Sequence, residues 1–426
     1  MSQLWNGLWS LAIVALGAVL VLDWLKACGV ARLPGWLGRT TLYAGGGSRA
    51  DRWECTQVFV LAFAFRLAVF AAVALVLMGK GITGLTANLD AWMRWDALHY
   101  VNLVDLGYTG YIEDGQHLFL VFFPLYVWLV RLFALVLGNT MLAGMLVSWL
   151  CYAGGCVYLY KLVVLDYGRH IARWTVIFLS VFPYAFFFGS TMTEGLFLLT
   201  TAASLYHIRR HQWLVAGIWG ALAAMTRMQG VLMVGVALAE LVEWEHPFDR
   251  RGADLRQTLL RMVKRLPALL LPILGTLAYL TLNYLVDGDP FSFVSQQEHW
   301  YQGFMWISNT LWYVFQNALH YVSEQIRLEL WVPTAILFPV FLALLLAARR
   351  RHRGMYVLYA FVYLVLNYSL SWLLSAGRYL SCGIPFFLFA AELTRNRPWL
   401  ARVLAGAMGV LFVLLLSAYL RGGQVM

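Results

Sequence analysis

The densest run of residues able to do chemistry is MRWDALHYVNLVDLGY, from Met93 to Tyr108. Read as a helix, it sets Asp96, His99 and Tyr100 on one face, three and four positions apart. Asp90 and Arg94, also four apart, are expected to form a supporting ion pair. A carboxylate against apolar surroundings loses solvation in its charged form, which makes it a stronger base. More polar groups stand where apolar runs pause. FFFGSTMTEGLF brings Thr191, Thr193 and Glu194, AAMTRMQGVL brings Arg227 and Gln229, and LLSAGRYLS brings Arg378 and Tyr379. Arginine presents a rigid fork of donors that matches phosphate oxygens. An acid with converging arginines points to chemistry on a phosphate-linked substrate.

The competing reading is structural. Turns need polar residues, an interfacial helix turns its charges to water, and an arginine at a span end snorkels to the interface. That account serves any one residue better than four gathered at one membrane level. Arg66, in LAFAFRLAVF, lies within an apolar run. It is a candidate contact for a lipid phosphate, but a partner inside the bundle, an acid or a carbonyl, is the favoured reading.

The elements that must carry these groups are membrane spans. The chain has 426 residues, 62% hydrophobic and 12% charged, where a soluble domain carries about 25% charged. Apolar runs long enough for a bilayer recur along its length, so the expected fold is an all-α polytopic membrane protein in one integral-membrane domain. Internal repeats and low-complexity tracts are absent. The first run, Leu8 to Leu25, lacks a basic leader and a small-residue cleavage site, and is expected to be retained. Cys28, Cys55, Cys151, Cys156 and Cys382 form no metal-type spacing and read as small hydrophobes.

The net charge of +10 does not indicate nucleic acid. The bases cluster at Lys26 to Arg52, Lys161 to Arg173, Arg209 with Arg210, Arg250 to Arg265, Arg349 to Arg353 and Arg395 to Arg402, which is the pattern of cytoplasmic loops. Pinning those clusters inside gives spans at 8–27, 57–78, 140–162, 171–189, 193–208, 213–229, 230–244, 267–286, 331–348, 355–374, 381–394 and 399–420. The segment 118–137, with Pro124 and Arg131, is assigned to the interface by parity. The long loops 79–117 and 287–330 fall outside, and Glu194, Arg227 and Arg378 fall at external hairpin tips.

The motifs RWDALHY, FFPLY, STMTEGLF, TRMQG and SAGRYL, with GDPFSFVSQQEHW, resemble the GPI mannosyltransferase 2 (PIG-V) family and its prokaryotic homologues. The resemblance runs from about residue 57 to 395 and leaves out the first span. It implies a GT-C glycosyltransferase of about twelve transmembrane helices, with interfacial helices in the first long external loop. It divides the chain into an extra span and basic loop (1–56), a catalytic module (57–244) and variable C-terminal helices (245–426). It implies inverting transfer of mannose from a polyprenyl-phosphate-mannose donor to a lipid or glycan acceptor on the external face of the plasma membrane. A eukaryotic source would place the enzyme in the endoplasmic reticulum instead. By motif, Asp96 is the base, and Arg227 or Arg378 contacts the phosphate.

Arg94, His99, Tyr100, Glu194, Gln229, Tyr379 and Arg66 complete the candidate substrate site. Glu194 could bind sugar hydroxyls or assist a metal, yet the first external loop has no Asp-x-Asp pair, so the pattern calls for no cofactor. A transporter or flippase of a lipid-linked sugar is the alternative from another class; a non-catalytic scaffold leaves the polar clustering unexplained.

Overall fold

The computed structural model describes residues 2–38 and 49–426, so part of the basic stretch Lys26 to Arg52 lies outside the described residues. The chain is helical nearly throughout, and a helix stands at each expected crossing. Helices α1 (Ser2–Ala27) and α2 (Arg52–Gly79) open it. The start of α2 is a reciprocal cap, in which the Asp51 carboxylate accepts from the Glu54 amide while the Glu54 carboxylate accepts from the Asp51 amide. Two short helices follow, α3 (Leu85–Trp92) and α4 (Asp96–Leu106), and then α5 (Pro124–Leu137). α5 begins on Pro124, whose missing amide suits a first turn, and ends at Gly138 in the left-handed conformation. Its 14 residues span about 21 Å at ~1.5 Å per residue, short of the ~30 Å hydrocarbon core.

The centre is built from α6 (Thr140–Tyr167), α7 (Arg169–Val181), α8 (Glu194–Arg209), α9 (Trp213–Ala224) and α10 (Met233–Glu245). α6 and α8 approach closely through small residues: a Cβ at Gly195 would run into the Ser148 carbonyl, and one at Gly155 into Leu198. Next come α11 (Gly252–Leu269) and α12 (Leu271–Asp287), then two helices of the second long loop, α13 (Ser292–His299) and α14 (Ile307–His320). The single turn α15 (Glu324–Ile326) leads into α16 (Val332–Ala348). α17 (Gly354–Asn367), α18 (Ala376–Ser381), α19 (Ile384–Leu393) and α20 (Pro398–Leu420) complete the bundle.

Among the described residues, 6 helical stretches are long and apolar enough to cross a membrane: Asn6–Ala27, Arg52–Gly79, Thr140–Tyr167, Gly252–Asp287, Glu324–Ala348 and Pro398–Leu420. The protein is a multi-span membrane protein, as expected. Several expected spans stop early. Pro183 holds Phe182 in an extended conformation (ψ 138°) and ends α7; a short 3-10 turn, Ala185–Gly189, precedes α8. α9 stops at Ala224, and the chain turns through Arg227, itself extended, before α10. α17 stops at Asn367, and an irregular stretch leads to α18.

These interruptions carry the polar candidates, and Thr191, Thr193, Glu194 and Arg378 there are buried within the protein. The first long loop reaches this interior through Asp96, which pairs with Arg378.

Candidate active site

α4 presents the acid. The backbone turns at Trp95, which sits in the left-handed region (φ 52°), a conformation strained for a bulky residue. Asp96 thus becomes the first residue of α4, where its charge suits the helix dipole. The same break corrects the expected Asp90–Arg94 pair. α3 ends at Trp92, so the two do not share a helix face; the Arg94 guanidinium donates to the Leu420 carbonyl at 3.4 Å.

Asp96 leads a chain of alternating charges. Its Oδ2 lies 2.7 Å from Arg378 Nη1. Arg378 Nε lies 3.4 Å from Glu194 Oε1, which also receives Arg227 Nη2. Arg227 Nε donates to Thr193 Oγ1 at 2.8 Å. Two carboxylates and two guanidiniums give a set of zero formal charge, which is how buried charges are tolerated. The Asp96 side chain is 34% exposed and Glu194 is 0% exposed, so Asp96 is the acid that meets an incoming molecule. Tyr379 lies between the cations, its ring centre 5.4 Å from the Arg378 guanidinium and 5.7 Å from that of Arg227. Glu194 Oε2 and Arg227 Nη1 are buried with no hydrogen-bond partner. A buried donor and acceptor left unmatched are costly, and both belong to this cluster.

Tyr100 projects from α4 toward the same place. Its ring meets Phe122 and Tyr126 edge-on, with centroids 4.8 and 5.2 Å away. Burial pushes its phenol upward, and nearby Asp96 adds to the effect, so it stays a neutral hydroxyl. His99 turns elsewhere. Its Nδ1 is 3.0 Å from the Tyr111 hydroxyl, and its ring stacks on Phe119 at 4.6 Å and abuts Trp300 at 5.6 Å. Asn102 donates to that hydroxyl at 3.1 Å. The network is satisfied when Tyr111 donates to Nδ1 and the histidine proton sits on Nε2. Burial pulls His99 below the usual imidazole range, against the opposing charge of Asp96.

Other candidates lie at the margin. Gln229 donates to Asn367 at 3.4 Å, beside the ion chain. Asp105 accepts from Thr140 at 2.5 Å and so ties α4 to α6. Arg66 is outside the cluster. It donates to the Ala185 carbonyl at 2.7 Å and the Ser180 carbonyl at 3.3 Å, and its guanidinium lies 4.1 Å from the Tyr152 ring centre. It serves carbonyls left open where α7 breaks, the favoured half of its sequence reading. Among the described residues, no three His, Cys, Asp or Glu side chains gather as a metal site.

Two features escaped the sequence reading. Trp300 comes from the second long loop to complete the aromatic wall around His99. On the side of the basic loops, Arg209 holds Asp166 through two donors at 2.7 and 2.8 Å, and Arg353 holds Glu240 at 2.8 Å. An acid inside an apolar run, Glu240, was the available signal for this second network.

Residues 123–270 match the family described as dolichyl-phosphate-mannose-protein mannosyltransferase. That segment runs from the start of α5 to the end of α11, less than half of the chain, and contains Glu194 and Arg227 but not Asp96 or Arg378. It is a different mannosyltransferase family from the one the motifs resemble. Among solved structures, the crystal structure of ArnT from Cupriavidus metallidurans bound to undecaprenyl phosphate is similar, at 16% identity and a TM-score of 0.48. The alignment covers 78% of this chain and 60% of that one. No curated protein matches the chain.

Proposed function

We propose that this protein is a GT-C glycosyltransferase that moves a mannosyl group, with inversion, from a polyprenyl-phosphate carrier to an acceptor at the external membrane face. The observation that carries the reading is the Asp96–Arg378–Glu194–Arg227 chain, in which one acid reaches solvent and behind it stand two cations, Arg378 buried and Arg227 partly buried. The mannosyltransferase match over the segment containing Glu194 and Arg227 supports the sugar and the carrier class.

In this mechanism the donor phosphate lies against Arg378 and Arg227. Their fixed positive charge stabilises the leaving phosphate as its negative charge develops. Asp96 Oδ2 takes the proton of the acceptor hydroxyl. The acceptor oxygen bonds to the anomeric carbon from the face opposite the phosphate, and the bond from that carbon to the phosphate oxygen breaks with its electron pair on the oxygen. Glu194 holds both arginines in place, and its open oxygen is available to a sugar hydroxyl. Tyr379 stands beside both arginines and Tyr100 shares the helix of Asp96, so both rings are in place to meet the sugar, with Gln229 and Arg94 as flanking candidates.

The deciding experiment supplies the purified protein, in liposomes, with radiolabelled polyprenyl-phosphate-mannose and extracted membrane lipids. Label appearing in a new product is expected. Label that crosses the bilayer still on its carrier makes the protein a flippase instead, and label that neither moves nor crosses overturns the reading.

A further inference from the structure

α11 has an unusual orientation of its polar and apolar sides. Its inward side sets polar groups beside the apolar Met262 and Leu269: Thr258 is buried, Arg261 donates to Glu245 at 3.2 Å and to Thr258 at 2.9 Å, and Arg265 pairs with Glu245 and lies 4.5 Å from the Trp244 ring centre. Its outward side carries a mainly apolar groove along Gly252, Leu255, Leu259, Leu260 and Val263, with Arg256 also in its lining. The positions 252, 255, 259 and 263 recur at helical spacing, so they form one stripe. Along one edge of that stripe runs the row Arg256, Leu260 and Lys264, at successive i+4 positions and all exposed. A soluble helix would turn these sides the other way.

Length fixes where α11 must lie. Gly252–Asp287 is a 36-residue helical stretch, about 54 Å at ~1.5 Å per residue, against a hydrocarbon core of ~30 Å. α12 alone covers most of that thickness. The stretch is interrupted at Leu270, between Pro267 and Pro272, and proline is a usual cause of such a bend. α11 carries Arg256, Arg261, Lys264 and Arg265 in 18 residues, a charge density that hydrocarbon does not accept. A basic helix with an apolar stripe beds at the headgroup level.

We infer that α11 is a binding site for anionic phospholipid: its stripe enters the acyl region, and Arg256 and Lys264, about 12 Å apart along the helix, each meet a headgroup phosphate. Charge complementarity selects the anionic lipid. The local acids are already engaged, Glu245 by Arg261 and Arg265, and Asp254 by Arg250 at 3.2 Å, so the exposed basic edge keeps its charge for a ligand.

The test uses the full chain in nanodiscs holding a trace of photoactivatable phosphatidylglycerol or of the matching phosphatidylcholine. After irradiation, labelled peptides are quantified by mass spectrometry. Label from the phosphatidylglycerol probe on the 252–269 peptides is expected, well above label from the phosphatidylcholine probe. A basic residue at an anionic surface contributes about fivefold in affinity, so Arg256→Gln with Lys264→Gln should cut that label roughly 30-fold and leave label elsewhere unchanged. With the unaltered chain, about 1 M salt should erase the preference, since the screening length falls to ~3 Å. Equal labelling by the two probes, an unlabelled 252–269 region, or a preference that survives salt overturns the proposal. The salt measurement needs no variant to fold.

Discussion

Arg378 Nη1 stands 2.7 Å from Asp96 Oδ2, and the same guanidinium reaches Glu194 through Nε at 3.4 Å. One cation therefore joins the acid that meets solvent to the acid that does not. A phosphate arriving at Arg378 competes with Asp96 for the same donors. In the proposed reaction, donor binding loosens Asp96 from its cation just when its basicity is needed.

Asp96→Asn keeps the side chain's shape and removes its basicity. Sugar transfer should fall by about 10²–10⁴, the usual worth of a general base. Binding of polyprenyl phosphate should persist or strengthen, because Arg378 loses its competitor. Turnover near the parent rate, measured with radiolabelled donor, removes Asp96 from the base role.

Glu194 is buried and its partner Arg227 largely so, and breaking such a pair from one side costs more than removing it. Glu194→Gln or Arg227→Gln alone should destabilise by about 3–5 kcal/mol. The double variant should lose less than the sum of the two. Thermal unfolding in detergent reads this directly, and additive losses would show that the two side chains act independently.

Arg66 separates structural from chemical roles. Arg66→Met leaves the Ala185 and Ser180 carbonyls without their side-chain donor. The unfolding temperature should drop, while the folded fraction keeps the parent KM for the donor. A raised donor KM with unchanged stability would return Arg66 to the substrate site.

His99 makes stability depend on pH with a defined sign. Burial places its folded-state pKa below the unfolded value of about 6.5. The neutral ring is therefore the stabilising form: its contribution is full above about pH 6.5 and is lost as pH falls through the folded value. His99→Phe should flatten the acid limb of a plot of unfolding temperature against pH. An unchanged limb would assign it to other groups.

That helices stand at the apolar runs was legible because hydropathy is a property of contiguous sequence. Asp96 was legible because a carboxylate in an apolar chain is conspicuous. The burial of Glu194 and Arg378 was not, because it depends on where helices stop and on what the distant loops cover. Pro183 signals the end of α7, but nothing local announces that Arg66, far upstream, takes up the carbonyls there. Trp300 was hidden for the same reason, since its contact with His99 joins two loops with eight helices between them. The pair Asp90 and Arg94 failed on a local feature, the break at Trp95, which helical spacing cannot foresee.

The alternating charges also constrain how the protein is made. Glu194 and Arg227 are 33 residues apart, close enough to enter the bilayer as one helical hairpin that carries its own counter-ion. Arg378 emerges from the ribosome long afterwards and finds its partners already inside. Until then Glu194 has only Arg227 and Asp96 has no guanidinium, so the late C-terminal helices complete the neutralisation. A nascent chain truncated before α18 would hold the acids and lack their second cation, and the membrane quality-control machinery would meet it in that form.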